Sequence, residues 1–272
     1  MGSEMCIRDR YIWDVDRIRT LITSVLRGYP IGSFLALDTR STPVRFKPRP
    51  LSGLSSRGVE PGLLLLDGQQ RLTSLYHAFK DDGAVATVDY LGESIQRRFF
   101  VDVRAAVAAD PMPVESVFAV DLEGQVRSHF GPEIPGGITS RDDMLRHGVI
   151  PVSLLLWKQG NDLLIDMAAA TDSVAVRDAV KQFQNLVLRW LPAYDVPVIR
   201  VDRDTSLVGI GQIFAHANSA GVQMDVFELL TATFASQDAD FVLADHWAGV
   251  EKQLREYPAL DRIGPVSYTH LT

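Results

Sequence analysis

"LLLLDGQQRLTSLYHAF", residues Leu63 to Phe79, runs four leucines into an Asp-Gly pair, two glutamines and an arginine. Leu63 to Leu66 is a short all-apolar run, suited to a strand covered on both faces. Leu72, Leu75, Tyr76 and Phe79 then recur every three or four positions, so a helix with one apolar face starts around Gln69. The stretch therefore reads as a strand-turn-helix unit. A helix opening directly after a glycine presents free backbone N–H groups and the positive end of its dipole. Both favour an anion, and phosphate is the common one. Gly68 lets the backbone approach closely. Arg71 falls in the first turn, where a cation opposes the dipole and a bound phosphate would compensate. Asp67 could cap the helix, bind a divalent ion or position a water. Gln69 and Gln70 both donate and accept, which suits holding a base, a sugar or an attacking water. A capped helix carrying a surface arginine accounts for the same letters, because short glycine turns are weak evidence by themselves.

Upstream, Asp14 can cap a helix whose apolar positions are Val15, Ile18, Leu21, Ile22, Val25 and Leu26. Gly28 and Pro30 stop it, and Arg27 suits the negative end of its dipole. "GSFLALD", Gly32 to Asp38, reads as a strand. Downstream, "RRFFVDVRA" (Arg97 to Ala105) and "ESVFAVDLEG" (Glu115 to Gly124) read as strands. Residues 124–150, rich in Gly and Pro, read as an insertion. From Ile150 the pattern is mostly helical, over roughly 163–191, 206–217, 225–236 and 239–256, interrupted by a strand in "YDVPVIRVD" (Tyr194 to Asp202). The expected architecture is α+β, a mixed α/β half over 11–150 followed by a mainly helical half over 151–265.

The 272 residues suit one large domain or two ordinary ones. Hydrophobic residues make up 46% and charged residues 22%, and no apolar run approaches the ~20 residues of a membrane span. A soluble, cytoplasmic protein with no membrane partner is the expectation. The net charge of −7 argues against nucleic-acid binding through bulk charge. A local exception is Arg40, Arg45, Lys47, Arg49 and Arg57, five cations with no acid between them. A solvated loop is their usual meaning, and contact with a DNA backbone is the alternative, to be recognised by steep salt dependence. Met5 to Arg10 and Val266 to Thr272 resemble translated sequencing adapter, so residues 1–10 and 266–272 are set aside from fold reasoning. The sole cysteine, Cys6, lies there, which leaves no disulfide or thiolate chemistry in the rest.

Three motifs carry a family resemblance: "YIWDVDRIRTLITSVLRGYPIGS", "DGQQRLTSL" and "IGQIFAHANSAGVQMDVFELLTATF" (Ile210 to Phe234). In this order they resemble the domain of unknown function 262 family, which includes GmrSD-type modification-dependent restriction systems and related phage-defence proteins. The resemblance implies a ParB/sulfiredoxin-like fold for the N-terminal half and a nucleotide site built on Asp67, Gly68, Gln69, Gln70 and Arg71. Asp67, Gln70 and Arg71 would serve hydrolysis, with Asp67 holding water or Mg²⁺. Gly68, Gln69, Arg27, Tyr29 and Asn218 would hold the nucleotide, which is GTP, ATP or CTP. Phosphoryl transfer suits such a set, since it needs positioning and charge neutralisation more than covalent chemistry. The family's proline-phenylalanine-glutamine-arginine segment would precede Tyr11. The implied partners are modified phage DNA and a nuclease domain or subunit beyond the C-terminus, and self-association is left open. A sensor that binds nucleotide without turnover, and a ParB-like nuclease, are the alternatives.

Other motifs point elsewhere or nowhere. "HANSAGVQMDVFELL" (His216 to Leu230) has a helix-turn-helix outline, with Asp225 and Glu228 as a capping box. Its second helix, Asp225 to Ser236, carries no lysine or arginine, so a recognition helix is disfavoured. His77, His129, His147, His216 and His246 are too dispersed to suggest a local metal site. No H-E-x-x-H, G-x-S-x-G or Walker-type loop occurs.

Overall fold

The computed structural model describes residues 13–39, 62–127, 131–202, 205, 209 and 252–253. In chain order the elements are α1 (Val15–Leu26), β1 (Phe34–Asp38), β2 (Leu63–Asp67), α2 (Gln69–Phe79), β3 (Val85–Val88), β4 (Ser94–Asp102), α3 (Val103–Ala106), β5 (Val117–Val120), α4 (Arg141–His147), β6 (Val149–Pro151), α5 (Lys158–Ala169), α6 (Val174–Phe183) and β7 (Val198–Val201). The fold is α+β, as expected. Among the described residues no helix is long and apolar enough to cross a membrane. The expected helix over 225–236, the expected helices over 206–217 and 239–256 apart from residues 209 and 252–253, the cationic run between Arg40 and Arg57, and Asn218 lie outside the described residues. Contacts divide the chain into two units, each discontinuous in sequence, and this is a different cut from the expected sequential division at residue 150.

The larger unit comprises Tyr11–Ser33 and Gly68–Pro197. Its antiparallel sheet is organised around β4, whose first half pairs with β3 and whose second half pairs with β5 on one side and β6 on the other. Alternate side chains of β4 face opposite ways, as the pleat requires. Phe99 and Val101 join a core built with Ile18, Ile22 and Leu26 of α1, Ala78 and Phe79 of α2, Leu163 and Leu164 of α5, and Phe183. Phe100 joins a second cluster with Phe118, Val120, Ile134, Ile138 and Val149. That double coverage explains the continuous apolar run "FFV", since a strand buried on both faces has no reason to alternate.

The stretch read as an insertion, 124–150, contributes described residues to the second cluster and carries a helix. Ile134 and Ile138 are buried, and α4 is closed at its start by a reciprocal Ser140–Asp143 capping box and at its end by Gly148 in the left-handed region. The single helix expected over 163–191 is corrected. It begins earlier, at Lys158, breaks at Thr171–Ser173 between α5 and α6, and continues from α6 into a π-helical turn, Gln184–Leu188.

The smaller unit contains Phe34–Asp67 and Val198 onward. Its sheet has the order β2-β1-β7, antiparallel between β1 and β2 and parallel between β1 and β7. Leu35, Leu37 and Val201 form a small core against Leu64 and Leu66. Asp38 of β1 and Arg200 of β7 form an ion pair across the parallel strands. The leucine run does become a strand, but Leu63 is exposed and Leu64 to Leu66 are only half-buried, so the expectation of two covered faces fails for β2.

Candidate functional site

The start of α2 is set by Gly68, which takes the N-cap position with φ 91° in the left-handed region that an L side chain enters only at a cost. Asp67 closes β2 one residue too early to be the N-cap. The first helical bond runs from the Leu72 N–H to the Gly68 carbonyl at 2.9 Å, so the first turn of α2 begins without the side-chain cap that a Ser or Asp at position 68 would supply.

Arg71 does not project from this turn as an isolated cation. Its Nη1 donates to the Ile31 carbonyl at 2.7 Å and its Nη2 to the Ser33 carbonyl at 3.1 Å. The guanidinium therefore ties the start of α2 to the "RGYPIGS" turn across forty residues of sequence. Gly32, with φ 85°, sits directly beneath it: a Cβ there would lie 2.5 Å from Nη1. Two motifs that were separate in the sequence are thus one structural unit. The charge that opposes the α2 dipole is met by backbone carbonyls, and no bound phosphate is needed to explain it.

The "RGYPIGS" turn is itself rigidly built. Arg27 is the C-cap of α1; the Gly28 N–H bonds the Val25 carbonyl at 3.0 Å and the Tyr29 N–H bonds the Ser24 carbonyl at 2.9 Å. This is the Schellman arrangement, with glycine at the left-handed position, φ 73°. The Gly28 face packs on Trp190, where a Cβ would meet the indole at 3.3 Å. The Tyr194 hydroxyl donates to the Tyr29 carbonyl at 2.7 Å, and burial pushes its pKa up. Arg27 donates through Nε to the Met112 carbonyl at 2.7 Å, so its guanidinium is directed into the fold; it lies 5.7 Å from the centroid of the Tyr29 ring. Tyr29 itself is 45% exposed.

Beside this joint, a cleft of about 370 Å³ opens along α1. Arg71 and Ile31 form one wall, and Trp13, Arg17, Thr20 and Ser24 form much of the other. Asp14 caps α1 by accepting the Arg17 N–H at 2.8 Å and pairs with the Arg17 guanidinium at 3.4 Å. The cleft offers two cations, Arg17 and Arg71, one carboxylate, Asp16, two hydroxyls and an indole; the cations could receive an anionic group and the indole a flat ring.

Of the residues singled out in the sequence, Gly68, Gln69, Gln70, Arg71, Arg27 and Tyr29 all belong to the larger unit, and Asp67 to the smaller. Only Arg71 lines the cleft. The sequence reading missed Trp13, Arg17, Thr20, Trp190 and Tyr194. Arg17 carried a usable signal, because it lies on the exposed side of an amphipathic helix; Trp13 precedes that helix and packs partly against the core. Trp190 and Tyr194 carried none. Among the described residues, no cluster of three or more His, Cys, Asp or Glu could hold a metal ion.

A comparison with curated proteins finds no match. A family model, that of the GmrSD restriction endonuclease N-terminal domain, matches residues 10–235. The matched span covers most of the chain and includes the α1 turn, the Asp-Gly-Gln-Gln-Arg helix start and the Ile210–Phe234 motif. This chain belongs to the GmrSD restriction endonuclease N-terminal domain family.

Proposed function

We propose that the chain is the nucleotide-binding and nucleotide-hydrolysing part of a restriction protein that defends a cell, in its cytoplasm, against phage DNA. Membership of the family supports the restriction role, and with it contact with DNA and a nuclease domain in the full protein. The observation that carries the nucleotide reading is the joint at Arg71. One guanidinium links the glycine-opened helix to the α1 turn and borders a cleft holding Arg17 and Trp13. The phosphates of a GTP, ATP or CTP molecule would draw on these cations and its base on the indole.

Asp67, next to Gly68 in the chain, is assigned to water or Mg²⁺. One carboxylate fits that ion, which commonly takes one or two carboxylates and completes its shell with phosphates and water. When bound, Mg²⁺ neutralises phosphate charge. Gln70 is assigned to orienting the attacking water, Gln69 and Asn218 to the nucleotide. Arg71 acts in this scheme by holding the helix start against the turn as much as by its charge, and Arg27 and Tyr29 build that turn. The ParB/sulfiredoxin-like likeness of the N-terminal half belongs to the same proposal.

Phosphate release measured with GTP, ATP and CTP, with and without DNA, tests it. Turnover is expected with one nucleotide, to be lost in Arg71→Ala and lowered in Arg17→Ala. Undiminished turnover in Arg71→Ala would refute the assignment. The engagement of Arg71 with two carbonyls favours a second reading, in which nucleotide is a conformational ligand that orders the joint. Binding without phosphate release by any of the three nucleotides selects that reading.

A further inference from the structure

A second cavity, of about 280 Å³, lies elsewhere in the larger unit, between α3, the end of α4 and the α5–α6 connection. It shares no lining residue with the cleft at Arg71. Val103 and Met167, nearly fully buried, back its floor; Leu145, Ala170 and Val176 give it accessible apolar surface, and its rim carries Arg104, Arg146 and His147.

Of the neighbouring acids, Asp102, Asp143 and Asp166 are engaged in other contacts, while Asp172, next to Thr171 in the chain, is exposed and makes none among the described residues. Asp102 accepts the backbone N–H groups of Arg104 and Ala105, at 2.9 and 3.0 Å, as the N-cap of α3. Asp143 is held by Ser140 and Thr139 in the capping box and reaches Arg146 at 3.3 Å through its other oxygen. Asp166 pairs with Arg141. The Arg104 side chain is exposed and makes no hydrogen bond or ion pair among the described residues. Arg146 and His147 also offset the negative end of α4, but Arg104 has no such structural duty on that helix. Arg177 donates to the Thr171 carbonyl at 2.9 Å and so fixes the wall on which Thr171 sits.

An apolar floor under a cationic rim matches a ligand with a flat apolar body and an anionic end. We infer that this cavity binds one nucleoside monophosphate unit, its base against Leu145, Ala170 and Val176 and its phosphate on Arg104 and Arg146. Guanidinium groups suit that phosphate because they offer paired, charge-assisted donors. The volume lies just below the ~300–1,000 Å³ of small-molecule sites, which limits the ligand to one nucleotide and excludes a duplex. The unit has two sources of the same chemistry: a free mononucleotide, or one nucleotide of a single DNA strand turned into the cavity.

The full chain is titrated calorimetrically with the adenosine, guanosine, cytidine and thymidine monophosphates and with the parent nucleosides. A labelled single-stranded oligodeoxynucleotide is titrated in parallel by fluorescence anisotropy. Binding of a monophosphate or of the single strand is expected, weakened about tenfold or more by Arg104→Ala and also by the cavity-filling Val176→Phe. Circular dichroism confirms that both variants fold. A monophosphate that binds assigns the free nucleotide; a strand that binds when monophosphates do not assigns the turned-in unit. The proposal is overturned if no probe binds at millimolar concentration. It also falls if both variants bind like the parent chain, or if nucleosides bind as tightly as their phosphates. Phosphate release from triphosphates stays unchanged in Arg104→Ala, which separates this site from the one at Arg71.

Discussion

Replacing Gly32 by alanine acts on the joint from beneath. The residue has φ 85°, where an L side chain costs about 1–2 kcal/mol, and the new Cβ would stand 2.5 Å from Arg71 Nη1. Because Nη1 is the end of a flexible side chain, the guanidinium swings away before the backbone yields. The loss is then its bonds to the Ile31 and Ser33 carbonyls. Bonds from a charged donor contribute about 1.5–3 kcal/mol each when enclosed, but Arg71 is half-buried and regains solvent, so about 1–2 kcal/mol for the pair is reasonable. Gly32→Ala should therefore destabilise the larger unit by about 2–4 kcal/mol, within the ~5–15 kcal/mol of a typical domain, so the protein still folds. Urea unfolding monitored by circular dichroism measures this. The decisive comparison is the double-mutant cycle with Arg71→Ala, where only the backbone part, about 1–2 kcal/mol, should remain. If Gly32→Ala costs the same with and without Arg71, the joint does not exist as described.

Two further outcomes rest on other parts of the larger unit. Gly160→Ala should destabilise by about 3 kcal/mol although Ala ordinarily improves a helix, because its Cβ would lie 2.1 Å from the Leu154 carbonyl oxygen; a rise in melting temperature would contradict this packing. Asp143 has its pKa lowered from 3.8 to about 2, chiefly by the Ser140 hydroxyl and then by the Thr139 N–H and hydroxyl. A carboxylate with a depressed folded pKa stabilises above its unfolded value and loses that contribution as the pH falls. The start of α4 should therefore weaken between about pH 4 and pH 2. Carboxyl NMR should show Asp143 titrating near the lower limit, and Asp143→Asn should remove this part of the acid response; a midpoint near 4 would mean the capping box is not formed.

Much of the fold could be read from the letters where the signal is local. Asp14 capping α1, the stop at Gly28, the strand-turn-helix from Leu63 to Phe79 and the late strand before Asp202 all appear within a residue or a few of expectation. The misses have physical causes. The Gly- and Pro-rich stretch before Ile150 hid α4 because its capping box, Ser140 with Asp143 three residues on, uses Asp in place of the usual Glu or Gln. The break at Thr171–Ser173 was overridden by apolar periodicity on both sides, since helix pairs of similar phase look continuous. The leucine run suggested two covered faces, yet β2 lies at one end of the described sheet order and keeps Leu63 exposed.

For the candidate site, the sequence by itself determined the residue types: a glycine that starts a helix, an arginine in its first turn, and a glycine-proline turn ending another helix. These are short-range properties, specified within a few positions by backbone sterics and capping. Only the tertiary structure decided what the arginines hold. Arg71 reaches Ile31 and Ser33, and Arg27 reaches Met112, in each case through a main-chain carbonyl. Every residue has a carbonyl, so the letter at the accepting position carries no trace of the contact. The same holds for the pairing of β1 with β7 and for the cationic rim over Val103 and Met167, where segments distant in sequence meet because the core brings them together.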